Sequence, residues 1–322
     1  MRTIIFLLIL FCSGINKFSF ALDINYPNKP LKIIVPFPIG GATDILSRLT
    51  AQFMSSHLER QIIIDNKSAA SGILGAEIVA NAKPDGYTIL HGSSSTLAIN
   101  RVTFKSLSYD PIKSFKPIAM FGAMPWLLII KPSSSINNLK DLIAISKKSS
   151  SSYFYASSSS SAQLATEFIN YVTGMRMLPI PYKGTGDANR DFLSGQIDVM
   201  VNPIATSYPL VLSGKAKAIA VTSDKRSLLA SEIPTLSEQG LFGLDISVWH
   251  CLVLPANTDN AIVSLLDQTI LKVIQNNEYK EKVTQLGIEI KYQSSTKLSQ
   301  HIQSEIMHWQ SVADKSQIKF EY

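Results

Sequence analysis

Cysteine is almost missing from this chain: there are two in 322 residues, Cys12 and Cys251. Cys12 falls in an N-terminal segment that reads as a removable leader, so the mature chain keeps Cys251 alone, has no internal disulfide and must fold on core burial. Charge is sparse as well. Asp, Glu, Lys and Arg make up 17% of residues, and the cations are scattered, with no run longer than Lys147-Lys148. No nucleic-acid module accompanies the net charge of +6, so nucleic acid is not an expected partner and small anions are the remaining ligand class. No apolar run reaches the roughly 20 residues that a bilayer span requires. Catalytic signatures are absent too. GxxxxGK[ST], GxSxG and HExxH occur nowhere, and His57, His91, His250, His301 and His308 have no cysteine at zinc-like spacing. No catalytic residue, metal ligand or cofactor is therefore expected. A Ser-His-Asp triad assembled in space is the one arrangement that spacing leaves open.

What is present is an ordinary globular composition, 46% hydrophobic, long enough for two domains. The first 21 residues stand apart: Arg2, an apolar stretch Ile4 to Phe11, a polar break, then Ser19-Phe20-Ala21. That is the layout of a secretory signal peptide with cleavage after Ala21. Phe11 before Cys12 argues against lipoprotein attachment. Removal of Arg2 and Lys17 lowers the net charge by two, to about +4.

Beyond the leader, short β-branched runs alternate with helical patterns. The stretch VPFPIGGATDILSRL (residues 35–49) passes from strand, through two prolines and Gly40-Gly41, into a helix carrying Ile45, Leu46, Leu49 and Phe53. Thr43 or Asp44 is the expected cap. Glycines before a helix N-terminus form an anion-binding geometry. Further strands are read at 61–65, 87–91, 117–121, 126–130, 153–156, 178–181, 198–202, 217–222 and 248–254. Helices are read between them and over the tail, 258–312, where Leu265, Leu266, Ile270, Val273 and Ile274 form a core stripe. His301 and His308 on that tail read as solvated. The alternation predicts parallel α/β sheets, with ligand-binding turns at the strands' C-terminal ends. Domain segments at 22–121, 122–240 and 241–322 are expected.

The candidate binding residues sit in those turns. The first turn supplies Phe37, Pro38, Gly40, Gly41, Thr43 and Asp44. Ser93, Ser94, Ser95 and Thr96 follow the third strand. In SSSSYFYASSSSSA (149–162) the first serines read as solvated loop, whereas Ser157, Ser158, Ser159 and Ser161 occupy a strand-to-helix turn whose hydroxyls and N–H groups suit a carboxylate. PYKGTGDAN (181–189) adds Lys183, Gly184 and Thr185, with Asp187 as the expected helix cap, and Asn202 ends the strand from Asp198.

The motifs YPNKPLKIIVPFPIGGATDILSRLTAQ, GAEIVANAKPDGYTILHGSSSTLAIN, SYDPIKSFKPIAM, PYKGTGDANRDFLSGQIDVM and IPTLSEQG, in order along essentially the whole mature chain, resemble the Bug family of extracytoplasmic solute receptors. These are the substrate-binding proteins of tripartite tricarboxylate transporters. The resemblance implies a two-domain periplasmic-binding-protein (flytrap) fold, type II-like, in which the first domain takes both chain ends. It implies a monomer in the periplasm that grips a small carboxylate with backbone N–H groups, hydroxyls and water, and that hands it to membrane permease subunits. Phe37 would cover the ligand's apolar part. Where the family's turn after YAS usually carries glycine, this chain has Ser158–Ser161, which resist positive φ and narrow the pocket. Where the family commonly has proline, Asp187 would disfavour dianions or favour a ligand bearing an amine. Two other readings stand beside a transport receptor: a receptor that reports to a membrane sensor, and a secreted hydrolase using one of the serines. Cys251 reads as an inert core thiol, and of Trp126 and Trp249 the second is the expected reporter of closure.

Overall fold

The computed structural model describes residues 26–148, 153–242, 244 and 246–316. The expected leader with its cleavage point, and the serines of 149–152, lie outside the described residues. Among the described residues the strands are β1 Leu31–Val35, β2 Ile62–Asn66, β3 Thr88–Ser93, β4 Phe115–Ile130, β5 Tyr153–Ser157, β6 Met177–Pro181, β7 Val199–Pro203, β8 Lys217–Val221, β9 Ser247–Pro255 and β10 Gln293–Ser294. The helices are α1 Ala42–Leu58, α2 Ile73–Ala80, α3 Asn100–Thr103, α4 Leu139–Lys148, α5 Ser160–Thr173, α6 Thr185–Leu193, α7 Ile204–Leu212, α8 Asn260–Gln275, α9 Asn277–Gln285 and α10 Ser295–Ser316. The α/β class is thus the observed one.

The strands join in the order β2-β1-β3-β9-β4-β7-β5-β6, with β8 and β10 also pairing to β4. The strands that alternate with helices pair in parallel, β1 with β2 and β3, and β5 with β6 and β7. The sheet is not wholly parallel, however. β9 runs antiparallel to β3 and β4, and β4 antiparallel to β7 and β8.

The two apolar runs read at 117–121 and 126–130 are one strand, β4, of 16 residues. From Phe115 to Pro125 it pairs with β9; from Trp126 to Ile130 it pairs with β7 and β8. The boundary expected near residue 122 therefore falls inside a continuous strand. Leu127 to Ile130 are all buried, as a strand covered on both faces requires.

Thr222, fully buried, ties the two places where the chain passes between the strand groups. Its Oγ1 accepts from the Trp126 N–H at 3.0 Å and donates to the Ile246 carbonyl.

The tail is less continuous than its pattern suggests. Leu266, Ile270, Val273 and Ile274 of α8 are buried as expected, with Leu265 only half-buried. After α9 the chain turns at Gly287, whose φ of +70° favours glycine, and β10 pairs with β4 before α10 begins.

Candidate functional site

The first turn works through its backbone. The β-branched run of β1 ends at Val35, Pro36 and Pro38 stop the ladder, and Gly40 takes a left-handed φ of +80°. Gly41 is the N-cap of α1, so Thr43 and Asp44 lie inside the helix and neither caps it. Asp44 is a correction to the expected ligand set. Its carboxylate accepts from the Gly40 N–H at 2.9 Å, from Asn66 Nδ2 at 2.9 Å and from Arg48 at 3.0 Å, and it does not line the cleft. Burial pulls this carboxyl's pKa up, but the donors of Arg48, Gly40 and Asn66 outweigh it and hold it below its ordinary value. Asp44 braces the turn that a ligand would meet.

Phe37, Pro38, Gly40, Gly41 and Thr43 line a cavity of about 200 Å³. From the end of β3 come Ser93 and Ser95; from the next turn Ser158 and Ser159; from α6 Gly184 and Thr185. Ser159 takes the extended backbone, φ −166°, and its Oγ caps α5 by accepting from the Ala162 N–H at 3.2 Å. A serine fits there, because no positive φ is required.

The remaining candidates sit around this cavity, not on it. Ser161 Oγ meets Ser95 Oγ at 2.6 Å, and Asn202 Oδ1 accepts from Ser158 Oγ at 3.0 Å. Thr96 Oγ1 accepts from the Ser93 N–H at 3.1 Å, and the Ser94 hydroxyl is buried. Ser157 and Lys183 line a second, outer cavity of about 620 Å³ together with Asp187, Tyr182 and the Ser68–Ser71 turn. Asp187 does not cap α6, whose N-cap is Gly184. It is exposed and bonded to Arg190 at 2.6 Å, so its charge is answered outside the inner cleft.

Sequence reasoning missed Asn189, Thr206, Val248 and His250 as cleft residues, and the structure puts Trp126, not the favoured Trp249, at the cleft. Trp126 lines the cavity, whereas the Trp249 indole N–H donates to Glu305 at 3.2 Å under α10, with His301 packed on its ring. His301 is therefore half-buried and not simply solvated. Pro203 and Thr206 had a usable signal, since a proline ahead of a helical run marks an N-terminus. His250 had none, being one polar residue inside the apolar run of β9. Cys251 beside it is fully buried, and burial pushes its thiol pKa up, as an inert core thiol requires.

Two electrostatic facts follow. Four helices, α1, α5, α6 and α7, start at the cavity wall, each presenting first-turn N–H groups and the positive end of its dipole. Among the described lining residues there is no Lys, Arg, Asp or Glu; the only titratable side chain is His250. Burial holds the His250 pKa down to about 3, and burial, then the neighbouring His250, hold His91 well below its ordinary value, so both imidazoles are neutral.

A cleft walled by helix N-termini and, among the described residues, free of charged side chains is built to take up a small anion. The chain belongs to the tripartite tricarboxylate transporter receptor family, whose family model matches residues 46–318. It is 30% identical to Protein BugT of Bordetella pertussis over 92% of this chain and 91% of that one. Among solved structures, a Rhodopseudomonas palustris protein, Rpa4515 with adipate, superposes with TM-score 0.88 at 31% identity, covering 91% of this chain and 99% of that one. MatC of Rhodopseudomonas palustris with bound malate gives TM-score 0.84 at 28% identity, covering 89% and 99%. The family and fold are those of receptors, not enzymes. No helix among the described residues is long and apolar enough to cross a membrane.

Proposed function

We infer that this chain is a periplasmic receptor that captures a small carboxylate and delivers it to the permease subunits of a tripartite tricarboxylate-type transporter. The observation that carries this reading is the convergence of four helix N-termini on one cavity without a charged side chain. An anion is stabilised there by oriented N–H groups and helix dipoles, while hydroxyls complete its hydrogen bonds. The cavity of about 200 Å³ lies below the roughly 300–1,000 Å³ of drug-sized pockets and suits a metabolite of a few carbons. The adipate and malate of the two Rhodopseudomonas neighbours are ligands of that size and charge.

In this reading residues 1–21 direct export and are cleaved after Ala21, and the mature monomer works as two lobes that close on the ligand. Residues 126–246 form one lobe and the remainder the other, so the passages fall at Pro125/Trp126 and Ile246/Ser247. The receptor performs no chemistry. Among the described residues the Ser–His pair that comes nearest to a nucleophile–base couple is Ser47–His91, and it is built wrongly for hydrolysis. Ser47 is buried away from the cleft and its hydroxyl donates to the Thr43 carbonyl.

The test is a thermal-shift screen of residues 22–322, refolded to strip carried ligand, against mono-, di- and tricarboxylates, amino acids and aromatic acids. A ligand at a thousandfold excess over its Kd adds about 4 kcal/mol of stability. A rise with one carboxylate class supports the reading; a folded protein that ignores every acid overturns it.

A further inference from the structure

Deep in the cleft wall a chain of hydrogen bonds fixes where two protons sit. Ser47 Oγ lies 2.6 Å from the Thr43 carbonyl oxygen and 2.6 Å from His91 Nδ1. A carbonyl has no hydrogen to give, so the serine hydrogen must point at it, and His91 Nδ1 must then be the donor to Ser47. His91 is neutral, which leaves its Nε2 as an acceptor. That atom stands 3.0 Å from His250 Nδ1, so His250 carries its proton on Nδ1 and donates it to His91. His250 is neutral as well, and its Nε2 is left as a bare lone pair.

His250 is 1% exposed and lines the cavity, and its Nε2 has no hydrogen-bond partner among the described residues. The ring's other nitrogen is taken by His91, so a donor for Nε2 must come from the cavity. Nearby polar atoms of the same wall are also unpartnered, among them the Ser93 hydroxyl, on the residue of β3 paired in register with His250, and the Trp126 indole N–H, which can only donate. Buried polar groups are seldom left unsatisfied in folded proteins, and here four of them, on Ser93, Trp126, Asn189 and His250, line one cavity.

We propose that His250 is a specificity residue that accepts a hydrogen bond from a hydroxyl group of the ligand, so that the receptor selects hydroxycarboxylates over the same acids lacking the hydroxyl. A carboxylate oxygen at this spot would face the lone pair of Nε2 and be repelled. An ammonium would donate, but the described lining offers no carboxylate to answer its charge, and Asp44 is already committed to Arg48, Asn66 and Gly40. A neutral O–H donor satisfies Nε2 at no such cost, while Ser93, Trp126 and the helix N-termini serve the carboxylate. Ser47 and His91 are positioning residues that set the tautomer of His250.

The inference rests on the carboxylate reading, and the test separates the two. Calorimetric titration of the mature chain would use acids differing by one hydroxyl: malate against succinate, citrate against tricarballylate, lactate against propionate. The expected result is a preference of about tenfold or more for the hydroxy acid of the pair that binds. In His250→Phe that ratio falls to about threefold or less, and His250→Gln, which keeps an acceptor, restores part of it. Nitrogen-15 spectra of the histidine-labelled wild type give a readout that needs no variant: the His250 Nε2 resonance should move with the hydroxy acid and stay with its partner. Equal affinities within the binding pair, or a preference that survives His250→Phe, overturns the hydroxyl assignment and leaves the carboxylate reading standing. No binding by any acid overturns both.

Discussion

Ser95 and Ser161 meet with their hydroxyl oxygens 2.6 Å apart, one in the turn after β3 and the other in the first turn of α5. Next to Ser161, the Ser160 hydroxyl donates to Asn100 Oδ1, five residues on from Ser95, also at 2.6 Å. Both bonds tie the strand group containing β3 to the group containing β5, and both are lost if the two move apart. Ser161→Ala would leave Ser95 Oγ buried without its partner, a loss of about 1–3 kcal/mol in the arrangement that holds the ligand. Ligand affinity should fall about tenfold. Adding Ser95→Ala should cost less than the two single effects summed, because they share one bond. Calorimetric titration of the three variants checks this.

Gly184 touches the first turn from the other side. Its backbone is extended, so a side chain would meet no dihedral strain, but a Cβ there would stand 2.9 Å from Pro38 Cγ. Gly184→Ala should fold with nearly unchanged melting temperature and bind ligand at least about tenfold more weakly, by holding Pro38 and α6 apart. A large drop in melting temperature would show that Gly184 serves folding instead.

Thr222→Val keeps the shape of the side chain and removes its hydroxyl. The Trp126 N–H and the Ile246 carbonyl would then be left unpaired by the side chain that now joins them. Urea unfolding should show a loss of about 1–3 kcal/mol.

The histidine pair makes stability depend on acid. In the unfolded chain both histidines take up protons near pH 6.5, whereas in the folded protein His250 does so only at about pH 3 and His91 also remains neutral well below its ordinary range. Between pH 6.5 and that low value the unfolded state therefore binds more protons, and stability is present above pH 6.5 and lost as pH falls. The expected slope is about 1.4 kcal/mol per pH unit for each histidine. Denaturant unfolding between pH 7.5 and 5 should show it, and His250→Phe should halve it.

Trp126 should report binding. Its ring lines the cavity, while Trp249 is held under α10 by Glu305. Ligand should change the intrinsic fluorescence of the wild type and of Trp249→Phe, and leave that of Trp126→Phe unchanged.

The elements with strong local patterns were legible in the sequence: β1 with its glycine turn, the Ser157–Ser161 turn, and the apolar stripe of α8. What escaped was decided by distant partners. Nothing near Asp44 indicates that Asn66, 22 positions on, would claim its carboxylate. His250 gains its meaning only when β9 is laid beside β3 and brings His91 against it. The split of β4 into two runs failed for a related reason, since Gly122 and Pro125 look like punctuation, yet β9 accommodates them through a shift of register between Met120 and Gly122.

Pro125 of β4 and Ser247 of β9 are paired in register. The chain thus departs into the β5–β8 group and returns from it at adjoining points, like a loop of thread drawn out through a single stitch. Residues 126–246 have the topology of an insert whose removal leaves two ends already side by side. A cleft walled partly by such an insert can have one wall exchanged by recombination at two codon boundaries, 125/126 and 246/247, that are distant in the gene but adjoin in the fold, while Phe37, Ser93 and His250 stay untouched. Ligand range in this architecture is therefore open to revision one wall at a time.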